Sequence, residues 1–375
     1  MGGTLAIVAF LALILLVVIP IHELGHFVVA RRFGFKIQEY FIGFGPRLWS
    51  FRRGEIEYGV KAIPAGGYVK IAGMNPYEPV APEDLPRAYG SKPIWQRALV
   101  IVAGPLTHLL VGAVLYFGLF ATYGDPNTNL VVVGDIAPTL NGHASPAKQA
   151  GLQVGDVVVR VGDLPNPNGD SLGRYVTRFA REHPGQPLTY EVERDGRTIR
   201  LPIVPELVHE GEVTKGRIGF TLGAEPVSIP EAAVISVRYV GATVWHGVAT
   251  IPRIFGPDGI GRTVSLLVSD EPRQASDPTS LVGVSRQVGT AGSRGDWGTF
   301  LAYAGYVTIF IGIVNLVPLP PLDGGHLLLL LWEKLIHRQV DYRRLVPVSA
   351  AVIVLLSLFV VATVFLDLTK PLPIT

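Results

Sequence analysis

The sequence of 375 residues contains no cysteine and little charge, and both absences restrict what the chain can be. Without cysteine there is no disulfide, no thiol nucleophile and no thiolate ligand, so a metal must be held by His, Asp or Glu. Charged residues make up 17% of the chain. Soluble domains average about 25%, so the composition argues against a cytosolic globular protein. With 32 basic and 30 acidic residues, no nucleic-acid partner is indicated.

Charge is missing above all from four stretches. Residues 1–30 contain one charged side chain, Glu23, and residues 98–124, 300–322 and 345–366 contain none. Each stretch exceeds the roughly 20 apolar residues needed to cross about 30 Å of hydrocarbon. We interpret the first as a retained helix, since no Lys or Arg precedes it and no signal-peptide cleavage site follows. The sequence therefore predicts a polytopic α-helical membrane protein with about four transmembrane helices, at 1–30, 98–124, 299–332 and 345–367.

The basic residues between these spans predict the orientation of the chain. Residues 31–97 hold 11 Lys or Arg against 6 Asp or Glu, residues 333–344 hold 4 against 2, and residues 125–299 hold 16 against 19. Basic residues near the ends of spans remain on the cytoplasmic side. We therefore expect 31–97 and 333–344 in the cytoplasm, and both termini and 125–299 on the other side.

The segments between the spans differ in pattern. Residues 47–70 alternate apolar and polar side chains around turns at Arg53-Gly54 and Ala65-Gly66-Gly67, which predicts a membrane-reentrant β-hairpin within 31–97. Residues 128–205 predict a compact α+β domain of short strands and two helices. The segment 206–298 is predicted to be an extracytoplasmic linker, with an amphipathic helix on the membrane surface at 229–255 and a loop at 269–296.

His22-Glu-Leu-Gly-His26 is the main chemical motif of the sequence. On a helix, histidines at i and i+4 share a face, so both imidazoles reach one Zn²⁺ while Glu23 lies beside its bound water. Ionised groups inside a membrane span cost about 3 kcal/mol each and are functional by default. The alternative is a helix end that has emerged into water, with Glu23 as an interfacial anchor.

A catalytic zinc usually keeps three protein ligands, so a third ligand must lie elsewhere in the chain. Asp323 is the best candidate, because it follows 23 uncharged residues and is flanked by Leu322 and Gly324-Gly325. Asn315 lies two helical turns upstream on roughly the same side, and the prolines between the two residues break the helix. The alternative is a kinked helix in which Asp323 caps the segment that follows.

Together, these motifs resemble the site-2 protease family of intramembrane zinc metalloproteases. The resemblance is carried by His22–His26 and by Asn315-Leu-Val-Pro-Leu-Pro-Pro-Leu-Asp-Gly-Gly325. Phe41-Ile-Gly-Phe-Gly-Pro46 and Gly66–Gly73 look like the family's membrane-reentrant β-loop, and Ala103-Gly-Pro105 resembles its second-span motif. The similarity covers nearly the whole chain in order and is closest to the bacterial regulator-of-sigma-E protease branch, which carries PDZ domains.

The resemblance implies an enzyme that hydrolyses peptide bonds in or near transmembrane segments. It implies one Zn²⁺ per chain, held by His22, His26 and Asp323, with Glu23 as general base and proton shuttle. The substrates it implies are single-span membrane proteins, such as anti-sigma factors or signal-peptide remnants, after a first cut by a site-1-type protease. The implied location is a bacterial inner membrane, with the lipid bilayer as a further partner.

Four further residues have an implied role in substrate binding. Asn315 matches the position that the family uses near the substrate backbone. The edge of the β-loop around Gly66, Gly67 and Tyr68 would hold an extended substrate by strand addition.

Two stretches are informative through their differences from the family. Ser145–Leu152 followed by Gly155–Val158 is similar to bacterial PDZ domains, but the sequence holds one convincing copy where the best-studied branch has two. An extracytoplasmic PDZ domain at 128–205 would exclude substrates with bulky domains. The second-span motif continues to His108 where the family usually has Asn. This histidine is either a hydrogen-bonding helix contact or an accessory metal contact or proton relay.

Two alternatives to this function stay open. One is a non-proteolytic PDZ-bearing membrane scaffold, which would have no use for the four residues that carry the metal chemistry. The other is a different membrane metalloprotease of the H-E-x-x-H type, which would take a Glu as its third ligand.

Overall fold

The computed structural model describes residues 2–75, 77–125, 131–162, 172–210, 213–223, 227–274, 276–293, 295–338, 340 and 342–372. The chain divides into two compact units, and each is described by itself. The first comprises Met1–Tyr116 with Ser236–Thr375, and the second comprises Phe117–Ile235. The predicted start of the α+β domain at residue 128 lies outside the described residues.

Four helices are long and apolar enough to cross a membrane: Gly2–Arg32, Ile94–Tyr123, Trp297–Asn315 and Arg343–Thr369. In the first, a π-helical segment at Leu13–Val18 joins two α-helices. In chain order the α-helices are α1 (Gly2–Ala12), α2 (Ile19–Arg32), α3 (Ile94–Tyr123), α4 (Pro146–Gln149), α5 (Leu172–Glu182), α6 (Ile229–Phe255), α7 (Pro257–Val268), α8 (Leu281–Ser293), α9 (Trp297–Asn315), α10 (Asp323–Ile336) and α11 (Val346–Thr369).

The span predicted as one transmembrane helix at 299–332 consists of two helices, and the helix break predicted at the prolines is confirmed. α9 ends at Asn315, and α10 begins at Asp323. Pro318, Pro320 and Pro321 have no backbone N–H, so the connecting residues cannot continue a helix and instead form tight turns. The break matters for function because it allows Asp323 to become the first residue of a new helix.

β1 (Ile37–Arg53) and β2 (Ile56–Ile71) form a long hairpin that turns at Gly54-Glu55. The second turn predicted at Ala65-Gly66-Gly67 is wrong, because β2 continues through these residues and bends at Gly66, whose φ is 150°. The hairpin curls, so that 39–42 pair with 57–60 on one side and with 67–70 on the other. Among the described residues, no strand pairs with the outer edge of 67–71.

The curled hairpin rests on α2 and on the start of α3. Its core contains Phe27 and Ala30 from α2, Ile37 and Ile71 from the strands, and Val100 from α3, all buried. Burial of these apolar side chains fixes the hairpin against the helix that carries the two motif histidines.

The segment before α9 agrees with its prediction at one helix and differs from it at another. The helix expected at 229–255 is confirmed as α6, and its buried face contacts α3 and α9: the Thr243 and Tyr116 hydroxyls lie 2.9 Å apart, and Gly247 packs on Ile313. The loop expected at 269–296 is wrong over α8, whose glycines pack closely on α1. Small residues there allow the two helices to approach closely. Composition alone does not distinguish glycines that serve helix packing from glycines of a loop.

The second unit is built on a five-stranded sheet of order β11-β3-β6-β7-β8. Its buried core is centred on Val133, Val158, Tyr190 and Val192. The two helices and the strands expected within 128–205 are confirmed, but the boundary at 205 is wrong because β11 completes the same sheet. The strands are β3 (Val131–Ile136), β4 (Thr139–Leu140), β5 (His143–Ala144), β6 (Val157–Val161), β7 (Leu188–Arg194), β8 (Arg197–Ile203), β9 (Glu206–Glu210), β10 (Val213–Arg217) and β11 (Phe220–Gly223).

Candidate metal centre and its cavity

Two histidines of α2 and one aspartate of α10 converge at one point in the first unit. His22 and His26 lie one helical turn apart, and their Nε2 atoms are 3.1 Å from each other. Oδ2 of Asp323 lies 3.2 Å from Nε2 of His22 and 3.5 Å from Nε2 of His26. All three side chains are buried or nearly so. Within the described residues these three side chains form one group that is able to hold a metal ion, called here the metal group.

The mutual distances of the three atoms fit a zinc ion. Ligand atoms about 2.0–2.2 Å from a tetrahedral zinc lie roughly 3.3 Å from one another. Oδ2 of Asp323 is buried and has no partner in hydrogen-bond geometry within the described part of the chain. A buried carboxylate oxygen and two ring nitrogens that converge at these distances are the arrangement that a shared cation would satisfy. Zinc favours nitrogen and carboxylate donors of this kind.

Asp323 lies beside the two histidines because the backbone around it is tightly packed. It is the first residue of α10, where a negative charge is stabilised by the helix dipole. A Cβ at Gly324 would lie 2.1 Å from the Leu316 carbonyl oxygen, and a Cβ at Gly325 would lie 2.4 Å from the Pro320 nitrogen. The two glycines after the aspartate are therefore required for the turn to close.

α3 supports both histidines from behind. Nδ1 of His26 lies 2.8 Å from the Val100 carbonyl oxygen, and Nδ1 of His22 lies 3.0 Å from Nε2 of His108. α3 approaches so closely at Gly104 that a Cβ there would lie 2.3 Å from Nε2 of His26. This contact explains why the second-span motif has glycine at this position.

Glu23 lies between the histidines and the edge of β2. The Val69 backbone hydrogen-bonds its carboxylate, and a Cβ at Gly67 would lie 3.1 Å from Cγ of Glu23. Glu23 therefore faces both the metal group and the unpaired edge of 67–71. A carboxylate in this position is able to exchange a proton with a group held between the strand and the histidines.

The site opens into a cavity of about 480 Å³. The eight predicted site residues all line it: His22, Glu23, His26, Gly66, Gly67, Tyr68, Asn315 and Asp323. His108 and His326 line it as well. The structure thus brings together residues that are separated by up to 301 positions in sequence, from Asp323 back to His22.

Tyr68 is fixed by the hairpin around it. Its hydroxyl donates a hydrogen bond of 2.5 Å to Oε2 of Glu39, and its ring stacks on Phe41. Burial and the neighbouring Glu39 carboxylate raise the pKa of Tyr68, so the hydroxyl stays protonated. The Lys61 ammonium lies 4.8 Å from the centre of the Tyr68 ring. The backbone of this edge is held in place by its side chains.

A buried ion pair fixes the far end of α10. Nη1 of Arg97 on α3 lies 2.7 Å from Oε2 of Glu333, and both side chains are at most 5% exposed. Oε1 of Glu333 accepts a hydrogen bond from the Val340 backbone at 3.0 Å. α10 therefore begins at the metal-binding residue Asp323 and is attached to α3 at Glu333.

Sequence reasoning missed two backbone contributors, the Val69 amide and the Val100 carbonyl. Neither has a side-chain signature, because any residue offers the same backbone groups. His108 carried a signal, since it replaced the expected Asn, and the structure puts it beside His22.

The comparisons with known proteins agree with this arrangement. The sequence model of peptidase family M50 matches residues 10–360. The zinc metalloprotease Rip1 of Mycobacterium tuberculosis is 32% identical, over 97% of this chain and 98% of its own length. Rip1 of Mycolicibacterium smegmatis is 32% identical over 98% of both chains. The metalloprotease MmpA of Caulobacter vibrioides is 29% identical over 90% of this chain and 89% of its own length.

The family match includes the metal group and most of each of the four apolar helices, and the Rip1 similarity covers 97% of the chain. The chain is a membrane protein and a zinc metalloprotease, and it belongs to peptidase family M50, the site-2 protease family.

Proposed function

We propose that this enzyme is an intramembrane endopeptidase that cleaves peptide bonds in or near the transmembrane segments of membrane-tethered proteins. The observation that carries the proposal is the meeting of the His22, His26 and Asp323 ligand atoms beside the unpaired strand edge 67–71, in a unit with four apolar helices. A metal group and a strand edge in one cavity suit a substrate that enters as an extended chain.

The assignment of roles follows from this geometry. His22, His26 and Asp323 hold the zinc ion, which when bound lowers the pKa of a water molecule and polarises the scissile carbonyl. Glu23 takes the proton of the attacking water and returns it to the leaving amine. The third ligand is Asp323 and not a glutamate, since the group formed by the described residues contains no glutamate.

The substrate is held by the edge of β2. A helical substrate hides its carbonyls in internal hydrogen bonds, so it must unwind before attack. The backbone groups of Gly66–Val69 offer hydrogen bonds to the unwound chain, in the manner of strand addition. The Asn315 amide, which lines the same cavity, binds the substrate backbone as well.

The second unit carries a PDZ domain in this proposal. The sheet of β3, β6, β7, β8 and β11 with α4 and α5 supports it, as does the sequence around Ser145–Leu152. The protein lies in a bacterial inner membrane, and the PDZ domain is on the extracytoplasmic side. There it excludes substrates that still carry bulky domains. Residues 31–97 and 333–344 lie on the cytoplasmic side. The substrates are anti-sigma factors or signal-peptide remnants already cut by another protease.

Cleavage of a short-tailed single-span substrate by purified full-length protein tests the proposal. The wild type should cleave it, and zinc chelation should abolish cleavage. The matched variant E23Q keeps the size of the side chain and removes its base, so it should bind zinc normally but cleave about 10²–10⁴-fold more slowly. Equal cleavage by E23Q would refute the mechanism. Zinc binding without cleavage of any single-span substrate would favour the scaffold.

A further inference from the structure

His22 is paired with a second buried imidazole, His108, to which the proposed mechanism gives no role. Nε2 of His108 lies 3.0 Å from Nδ1 of His22, and the rings are tilted by 54° with their centres 5.0 Å apart. His108 is 2% exposed, so no bulk water competes for this hydrogen bond.

The direction of this hydrogen bond is set by what His22 must do at its other nitrogen. A neutral imidazole has one N–H donor and one acceptor nitrogen. Nε2 of His22 faces His26 and Asp323, so it must offer its lone pair to bind a metal ion there. The proton of His22 then lies on Nδ1 and donates to Nε2 of His108, whose own proton lies on Nδ1.

The two histidine ligands differ in how this orientation is secured. Nδ1–H of His26 donates to the Val100 backbone carbonyl oxygen, which can only accept a hydrogen bond. His22 depends on a side chain instead. Nε2 of His108 accepts a hydrogen bond only in the neutral tautomer whose proton is on Nδ1. The metal-binding form of His22 therefore requires His108 to be in this tautomer.

α9 packs closely on the base of the His108 side chain. A Cβ at Gly312 of α9 would lie 2.7 Å from Cβ of His108 and 3.1 Å from its Cγ. The glycine therefore leaves room for His108 between α9 and α2. The site of contact is built by three helices, α2, α3 and α9.

We propose that His108 is a positioning residue for zinc. By accepting the Nδ1–H of His22, it selects the tautomer and ring orientation in which Nε2 of His22 binds the metal. The inference rests on the proposed role of His22 as a zinc ligand. Groups that hold a ligand histidine in this way contribute about 10–100-fold to metal affinity.

Two variants separate the hydrogen bond from the packing. H108Q places an amide oxygen near the position of the imidazole Nε2 and keeps the acceptor, whereas H108L fills a similar volume without one. The zinc affinity of the purified full-length protein is measured by competition with a chelator of known affinity. The absorption spectrum of the Co²⁺-loaded protein reports the ligand geometry independently of activity.

We expect H108L to bind zinc about 10–100-fold more weakly than the wild type and to show an altered Co²⁺ spectrum. H108Q should stay close to the wild type in both. Should H108L fail to fold, H108M takes its place, since a flexible thioether fills the same space without a strong acceptor. The thermal unfolding of the metal-free variants shows how much of any change is packing.

Wild-type affinity in H108L, or an equal loss in H108L and H108Q, would overturn the inference. Neither result affects the proposed function, because the wild type would still bind zinc through His22. The proposed function fails separately if H22A, or D323N, binds zinc as tightly as the wild type.

Discussion

Two parts of the first unit are each held by a buried ion pair, yet they are built differently. The helix that carries the two histidines of the metal group has buried residues spread along its length: α2 buries Pro20, His22, His26, Phe27 and Ala30. In α11, all of whose residues are described, burial is confined to Thr363, Leu366 and Asp367 in its last two turns. α2 is therefore packed at positions along its whole length, while α11 is attached at one end.

The two ion pairs reflect this difference. The negative charge of Glu333 is compensated by Arg97, and its carboxylate accepts a backbone hydrogen bond from Val340. Asp367 accepts hydrogen bonds from Arg273 at 2.6 Å, from the Ser280 backbone at 2.8 Å and from the hydroxyl of Ser280 at 2.6 Å. One pair attaches the helix that begins at Asp323, and the other is one member of a network that tethers a membrane span.

The largest effect is expected from R97M. It leaves the Glu333 carboxylate buried without a cation, which costs about 3–5 kcal/mol in the free energy of unfolding. Denaturation of the purified protein measures this cost, and zinc affinity should fall with it because α10 carries Asp323. The double variant R97M/E333L removes both charges and should regain most of the stability. A stable R97M with unchanged zinc affinity would show that α10 is positioned without this pair.

The next effect is expected from G104A on the same helix. The added Cβ lies 2.3 Å from Nε2 of His26, so the histidine must move. A displacement of about 1 Å at a catalytic group costs roughly 10²-fold in rate. G118A is the matched control, because a Cβ at Gly118 has no atom within 4 Å. Equal activity in the two variants would contradict the close contact between α3 and α2.

Much of the site could be predicted from the sequence because its signals are local. The helical spacing of His22, Glu23 and His26, and the isolated charge of Asp323 after an apolar stretch, can both be read without knowledge of the fold. The four apolar helices follow from length and composition in the same way.

The rest depends on contacts that the sequence does not encode locally. The curl that pairs 39–42 with both 57–60 and 67–70 is a long-range choice of register, so the sequence suggested a turn at Gly66 where the strand only bends. The glycines of α8 predict a loop by composition, whereas in the structure they allow α8 to pack against α1. The Val100 carbonyl behind His26 is a backbone group and has no sequence signal.

A smaller effect is expected from R273M, at the tether of α11. Asp367 keeps the Ser280 and Thr279 hydrogen bonds, so the loss should be about 1–3 kcal/mol, the cost of one lost charged partner. Zinc affinity should not change, because the tether lies on a different helix from the metal group. R53M, at an exposed arginine of β1, is the control. If R273M lowered the zinc affinity as much as R97M does, the two regions would not differ in the way described.

The smallest effect is expected at the surface of the hairpin. Hydrogen bonds from Arg87 and Lys36 lower the pKa of Glu55 to about 2 from the usual 4.5. The stability that these bonds contribute is present above pH 4.5 and is lost as the pH falls towards 2. E55Q should therefore reduce the pH dependence of the unfolding midpoint in this range. E83Q, at an exposed carboxylate nearby, should keep the wild-type slope; identical slopes in all three proteins would exclude this linkage.

The zinc content of purified D323N tests the central claim most directly. The comparison protein is D296N, because Asn caps the start of α9 as well as Asp does and leaves the site untouched. Elemental analysis should find one zinc per chain in the wild type and in D296N, and little or none in D323N. One zinc per chain in D323N would mean that the metal is held elsewhere, and the assignment of His22, His26 and Asp323 as its ligands would be wrong.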